Sequence, residues 1–134
     1  MDVQEIRKVE SYIRRKFANT KLRVVPRPKK KDSADVLLGD EPIGVLAVDD
    51  EDGERDYNFE MPIAAADVQD IRKAEGYIRG KFGNTTLRVV PRPTKKDSAD
   101  VLLGDEFIGV LFVDDRDGGY NFEMAILAMD LEEA

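Results

Sequence analysis

The sequence predicts an α+β fold: two tandem helix-plus-four-strand antiparallel units, packed as a pseudo-two-fold single-chain dimer. Three observations point there. The chain repeats itself at a spacing of 65 residues. Each copy opens with apolar residues at helical steps. Each then passes into short β-branched runs broken by Gly, Pro and Asp.

The repeat aligns residues 2–53 with 67–118 without a gap, and only ten of those 52 positions differ. The differences are Glu5/Asp70, Val9/Ala74, Ser11/Gly76, Arg15/Gly80, Ala18/Gly83, Lys21/Thr86, Lys29/Thr94, Pro42/Phe107, Ala47/Phe112 and Glu51/Arg116. A two-residue deletion follows, with Gly119 standing for Glu54-Arg55-Asp56. Tyr57–Met61 then matches Tyr120–Met124. The predicted domains are 1–66 and 67–134, sharing one pseudo-dimeric core. A unit of about 65 residues is marginal as a lone core. Symmetric dimers are the commonest oligomers, and two copies are too few for a solenoid. The connection Pro62-Ile63-Ala64-Ala65-Ala66 is short and lacks Gly and Ser, which disfavours loose tethering.

Within one copy, Asp2 is placed to N-cap a helix, with Glu5 completing a capping box. Val3, Ile6, Val9, Ile13 and Phe17 form the apolar stripe. The helix ends near Ala18-Asn19, and near Gly83-Asn84 in the second copy. Leu22–Arg27 reads as a strand, and the two prolines at its end suit an edge position or an abrupt exit. Lys29–Ser33 reads as a polar loop. Ala34–Leu38 and Ile43–Val48 flank a hairpin turn at Gly39-Asp40-Glu41. Asp49–Asp56 is an acidic turn. Tyr57, Phe59, Met61 and Ile63 alternate as one face of a last strand. The total is two helices and eight strands.

Composition narrows the chemistry. The chain has no Cys and no His, which removes thiol nucleophiles, imidazole bases and most transition-metal sites. Its net charge of −7 disfavours wholesale nucleic-acid binding. No apolar run reaches the length of a membrane span, and the polar start of the chain is unlike a signal peptide. A cytoplasmic protein without cofactor or metal is expected.

The residues placed to contact an anion or a partner are Arg23, Arg27, Lys29, Lys30 and Lys31, with Arg88, Arg92, Lys95 and Lys96 in the second copy. No aromatic side chain interrupts the first block, so bases would have nothing to stack on. A dense acidic run over residues 40–56 offers these cations partners within the molecule. That run fails as an EF-hand: with Gly53 at the loop's sixth position, Val48 and Phe59 fall where oxygen ligands are needed. Its carboxylates share one wet environment, which does not divide them into acid and base. The Lys-Lys-Asp-Ser segments around Ser33 and Ser98 read as turns rather than a Ser-Lys pair. Pro42/Phe107 and Ala47/Phe112 break the symmetry. Their odd separation predicts opposite faces of a strand, and with them halves that cannot pack identically.

Arg23-Val24-Val25-Pro26-Arg27-Pro28, Gly39-Asp40-Glu41, Ile43-Gly44-Val45-Leu46, Asp49-Asp50 and Tyr57-Asn58-Phe59, each with its second-copy partner, resemble a small alphaproteobacterial family, domain of unknown function 3126. The resemblance covers nearly the whole chain twice. It implies no catalytic residues, and it implies Phe at the positions of Pro42 and Ala47. It is a resemblance to single-copy proteins, so the tandem form departs from it. The scattered differences fit either natural divergence or deliberate linking and diversification.

The expected function is that of a non-enzymatic structural or protein-interaction module built as a fused dimer. The full chain is expected to be monomeric, its halves paired, with another protein as partner. The alternative is a nucleic-acid or polyanion binder using the basic strand-loop of each copy.

Overall fold

The computed structural model describes residues 1–50, 53–65, 67–68, 70, 73–93, 95–114 and 118–132, with the side chains of residues 95, 96 and 132 outside that description. The fold is α+β, with eight antiparallel strands and three helices among the described residues. They form two compact units. Unit one comprises Met1–Glu60 and Ala125–Ala134; unit two comprises Met61–Met124. The closing residues of each repeat thus count with the other repeat's body.

In unit one, helix α1 spans Val3–Phe17. Asp2 caps it by accepting from the Glu5 N–H at 2.8 Å, and the Glu5 carboxylate accepts from the Asp2 N–H at 3.1 Å, the predicted capping box. Val9, Ile13 and Phe17 are buried, whereas Val3 is 64% exposed, so the apolar stripe starts later than its spacing suggests. Strands β1 (Leu22–Arg27), β2 (Lys30–Leu38), β3 (Glu41–Asp49) and β4 (Asp56–Ile63) follow as a meander. Each is antiparallel to the next. The predicted polar loop at Lys29–Ser33 is mostly strand. Lys30 pairs with Arg27 across a tight turn, and ladder hydrogen bonding overrides the low β propensity of Lys and Asp.

The helix also covers the sheet's edge. The Glu10 carboxylate accepts from the Val24 N–H at 2.9 Å, and Arg14 Nε donates to the Leu22 carbonyl at 2.7 Å. These side chains occupy backbone groups that an edge strand would otherwise present to other chains. Inward residues from every strand, among them Val24, Val36, Leu46 and Phe59, complete the core with Phe17.

Unit two repeats this plan. Helix α2 spans Ala74–Phe82, and β5 (Leu87–Arg92), β6 (Lys95–Leu103), β7 (Glu106–Asp114) and β8 (Gly119–Ile126) form the meander. Glu75 and Arg79 dress β5 as Glu10 and Arg14 dress β1, at 2.9 and 2.7 Å. A third helix absent from the sequence prediction, α3 (Ala128–Glu132), follows β8 and packs on α1 in unit one. None of the described helices is long and apolar enough to cross a membrane.

A bulge in β3 and β7 corrects the faces expected for the asymmetric pairs. Leu37 pairs with Pro42 but Val36 pairs with Gly44; likewise Leu102 pairs with Phe107 but Val101 with Gly109. The extra residue, Ile43 or Ile108, resets the alternation. Pro42 and Ala47 therefore share the outward face, opposite the buried Leu46, and Phe107 and Phe112 share it in unit two. The expected difference in core packing does not arise from these pairs. At the bulge only glycine fits: a Cβ on Gly44 would collide with the Glu60 carbonyl oxygen and sit 2.8 Å from Phe59 Cε1. Gly109 meets Glu123 and Phe122 in the same way.

Candidate functional site

The arginines singled out from the sequence are held by carboxylates and carbonyls of their own unit. Arg23 Nη1 donates to the Gly39 carbonyl at 3.2 Å and lies 3.6 Å from Asp40. Arg27 Nε donates to Asp35 at 2.8 Å. Arg88 and Arg92 repeat both arrangements with Gly104, Asp105 and Asp100. Of the expected acidic run, Asp40 is one of these partners; Asp35, outside it, is the other. The pairs are substantially exposed, so each contributes only about 0–1 kcal/mol and serves mainly to orient side chains.

The lysines behave differently. Lys29 is exposed in the β1–β2 turn, and Lys30 and Lys31 are exposed at the start of β2. Lys30, Lys31 and Arg27 border one cleft of about 340 Å³ with Pro26, Pro28 and Ser33. Arg23 is not brought there. It sits at the other end of the strand, beside the β2–β3 turn. Lys95 and Lys96 open β6, their side chains outside the described residues. The acidic turn falls partly outside them too, at residues 51 and 52. Among the described residues no group of three or more His, Cys, Asp or Glu side chains is placed to hold a metal ion.

A second cleft, of about 460 Å³, belongs to unit one and was not anticipated. Asp2, Glu5, Lys8, Arg55 and Tyr57 line it, with Ala128 and Leu131. Glu5 is its hub. Its carboxylate accepts from Arg55 Nε at 2.5 Å and from the Tyr57 hydroxyl at 2.5 Å, besides the Asp2 N–H. Burial alone would raise the Glu5 carboxyl; the donors from Arg55, Tyr57 and Asp2 outweigh it and lower the group from 4.5 to about 2. Burial, then the Glu5 carboxylate, push the Tyr57 phenol up to about 12. The hydrogen bond to Glu5 raises Arg55 further above its ordinary range. All three are thus locked in their ordinary charge states near neutrality. None is poised for proton transfer. Beside them Asp56, almost fully buried, accepts from the Ala128 N–H at 2.8 Å, tying the chain's last turn to β4. The cluster is a strut joining α1, β4 and the closing segment.

Its signal in the sequence was a paired difference. Unit two has Asp70 where unit one has Glu5, and the deletion removes the counterpart of Arg55. Two losses far apart in the chain mark two groups that meet in space.

The outward face carries the other asymmetry. Phe107 is 52% exposed. Val90, Leu102, Val110 and Phe112 are half-buried beside it. Their register places all five on the face away from α2.

A family model described as protein of unknown function (DUF3126) matches the chain twice, over residues 5–67 and 70–130. The chain belongs to this family. It is a tandem duplication of the DUF3126 unit, and the division between the two matches falls at residues 68–69, just after the connection Pro62–Ala66. No curated protein and no solved structure matches the chain.

Proposed function

We propose that this DUF3126 tandem is a non-enzymatic protein-interaction module built as a single-chain pseudo-dimer, with the outward sheet face of unit two as its contact surface. The observation that carries the reading is Phe107. A large aromatic side chain 52% exposed among half-buried Leu and Val, rimmed by the Arg88–Asp105 and Arg92–Asp100 pairs, has the composition of an interface core with a polar rim. The same positions in unit one hold Pro42 and Ala47. Unit one thus offers the same rim without the aromatic anchors on which binding energy concentrates. The locked state of Glu5, Arg55 and Tyr57 supports the non-enzymatic part of the reading.

The pseudo-dimer part rests on the unit composition. Residues 61–68 close the first repeat yet count with unit two, and residues 125–134 close the second yet count with unit one. In a single-copy relative that closing segment would have to come from a second chain.

A photo-crosslinking residue at 107 or 112 of the full chain, expressed in its source cell, tests the contact surface. A discrete partner that crosslinks from both positions, and binds the purified chain through them, is expected. Position 15, exposed on α1, is the reference. An identical crosslinking pattern from all three positions sinks the proposal.

A further inference from the structure

The basic loop left over from the interaction surface has a site of its own. Ser33 lines the cleft bordered by Lys30 and Lys31, and its Oγ is withdrawn from solvent with no hydrogen-bond partner. A buried hydroxyl without a partner costs about 1–3 kcal/mol. The second copy retains the same cost at Ser98. The three other charged groups of the cleft are already engaged: Arg27 is paired with Asp35, the Asp2 carboxylate accepts from the Glu5 N–H, and the Met1 α-ammonium donates to the Lys31 carbonyl. Neither lysine ammonium forms an ion pair with a described residue. The cleft therefore holds two uncompensated cations and an unsatisfied hydroxyl, between the rigid walls of Pro26 and Pro28.

We propose that this cleft is a binding site for a small phosphate, free or carried as the terminal group of a small molecule. Phosphate oxygens accept from ammonium groups, and such charge-assisted bonds are the stronger kind. The Ser33 hydroxyl, withdrawn as it stands, joins them by turning about its Cα–Cβ bond. A space of about 340 Å³ admits a tetrahedral anion and its waters. A nucleic-acid strand would need stacking platforms, and no aromatic residue is among the described residues that line the cleft. The proposal is independent of the outward face of unit two.

The test is titration of the full chain with inorganic phosphate, followed by amide chemical shifts, against sodium chloride at matched ionic strength. Saturable shifts at residues 26–33, present in phosphate and absent in chloride, are expected. K30Q/K31Q should abolish them, and S33A should weaken binding about tenfold. S98A, the same substitution in the other copy, should leave the response at 26–33 unchanged. Shifts that fail to saturate, that chloride reproduces, or that survive K30Q/K31Q in a chain with an otherwise unchanged spectrum overturn the proposal. Glycerol phosphate in place of phosphate separates the two sources: tighter binding identifies a carried group, equal binding the free ion.

Discussion

The two copies share 42 of 52 aligned residues, yet their helices differ by six residues: α1 has 15 and α2 has nine. Both begin with Asp-Val. In unit one, Asp2 N-caps and Val3 opens the helix. In unit two, the described α-helix begins at Ala74, the counterpart of Val9, after a 3₁₀ residue at Lys73. The reason lies upstream. The Asp67 N–H donates to the Ala64 carbonyl at 2.9 Å, as the Asp130 N–H donates to the Leu127 carbonyl at 3.0 Å, and Val68 is buried as Leu131 is. Asp67-Val68 thus closes the first repeat in the way Asp130-Leu131 closes the second. Residues engaged in one ending cannot also make the next beginning. The opening Asp-Val-Gln is the same in both copies, but Asp70, Gly76 and Gly80 stand where the first has Glu5, Ser11 and Arg15, so a lower helix propensity adds to the tertiary context that claims Asp67-Val68.

The largest effect should come from cutting the copies apart. Residues 67–134 made alone release Asp67 from its turn and leave unit two without the segment supplied by residues 61–66. This fragment is expected to dimerise, each chain supplying the closing segment of the other. It should also gain helix at its start as Asp67 takes up the role of Asp2. Light scattering and far-UV circular dichroism read the two changes; the full chain should scatter as a monomer. A stable monomeric fragment would overturn the pseudo-dimer.

A smaller effect separates the units through Glu5. Removing its charge in Glu5→Gln weakens bonds from Arg55 and Tyr57, a trio of which unit two keeps only the tyrosine, Tyr120, and should cost about 2 kcal/mol. The folded-state pKa of about 2 lies below the ordinary 4.5. The stabilisation is therefore fully present above pH 4.5 and is lost as pH falls toward 2. Denaturant midpoints of the wild type and Glu5→Gln should converge across that window. A constant gap from pH 7 down to pH 2 would show that the carboxylate's charge is not what stabilises.

How far the sequence reaches is visible in these elements. The strands and α1 were legible because alternation and helical steps are local, and the edge position of β1 was legible from its prolines. The bulge at Ile43 and Ile108 was not, since one extra residue leaves no mark in composition yet moves Phe107 to the same face as Phe112. Nor was the role of Glu10 and Arg14. On a helical wheel they are solvated charges; only the approach of α1 to β1 turns them into partners for the Val24 N–H and the Leu22 carbonyl. Of the candidate contact residues, the pattern identified the basic character but not its division. The arginines orient within their own unit, while Lys30 and Lys31 border the cleft beside Ser33.

The smallest predicted effect makes one copy the control for the other. Both helices end in the left-handed region, at Ala18 with φ 53° and ψ 45°, and at Gly83 with φ 62° and ψ 35°. The Asn19 and Asn84 N–H groups bond back to Arg14 and Arg79 in the same way. An L-residue pays about 1–2 kcal/mol to adopt this conformation and glycine does not, although glycine gives back part of the gain as chain entropy. Ala18→Gly should therefore stabilise the chain by about 1 kcal/mol, and Gly83→Ala should destabilise it by a similar amount. The hydrogen-bonded endings are equivalent, so the double exchange should come out near the wild type. Chemical denaturation of the four variants measures this. A destabilising Ala18→Gly would mean that the Ala18 side chain contributes packing that its exposed position at the helix end does not suggest.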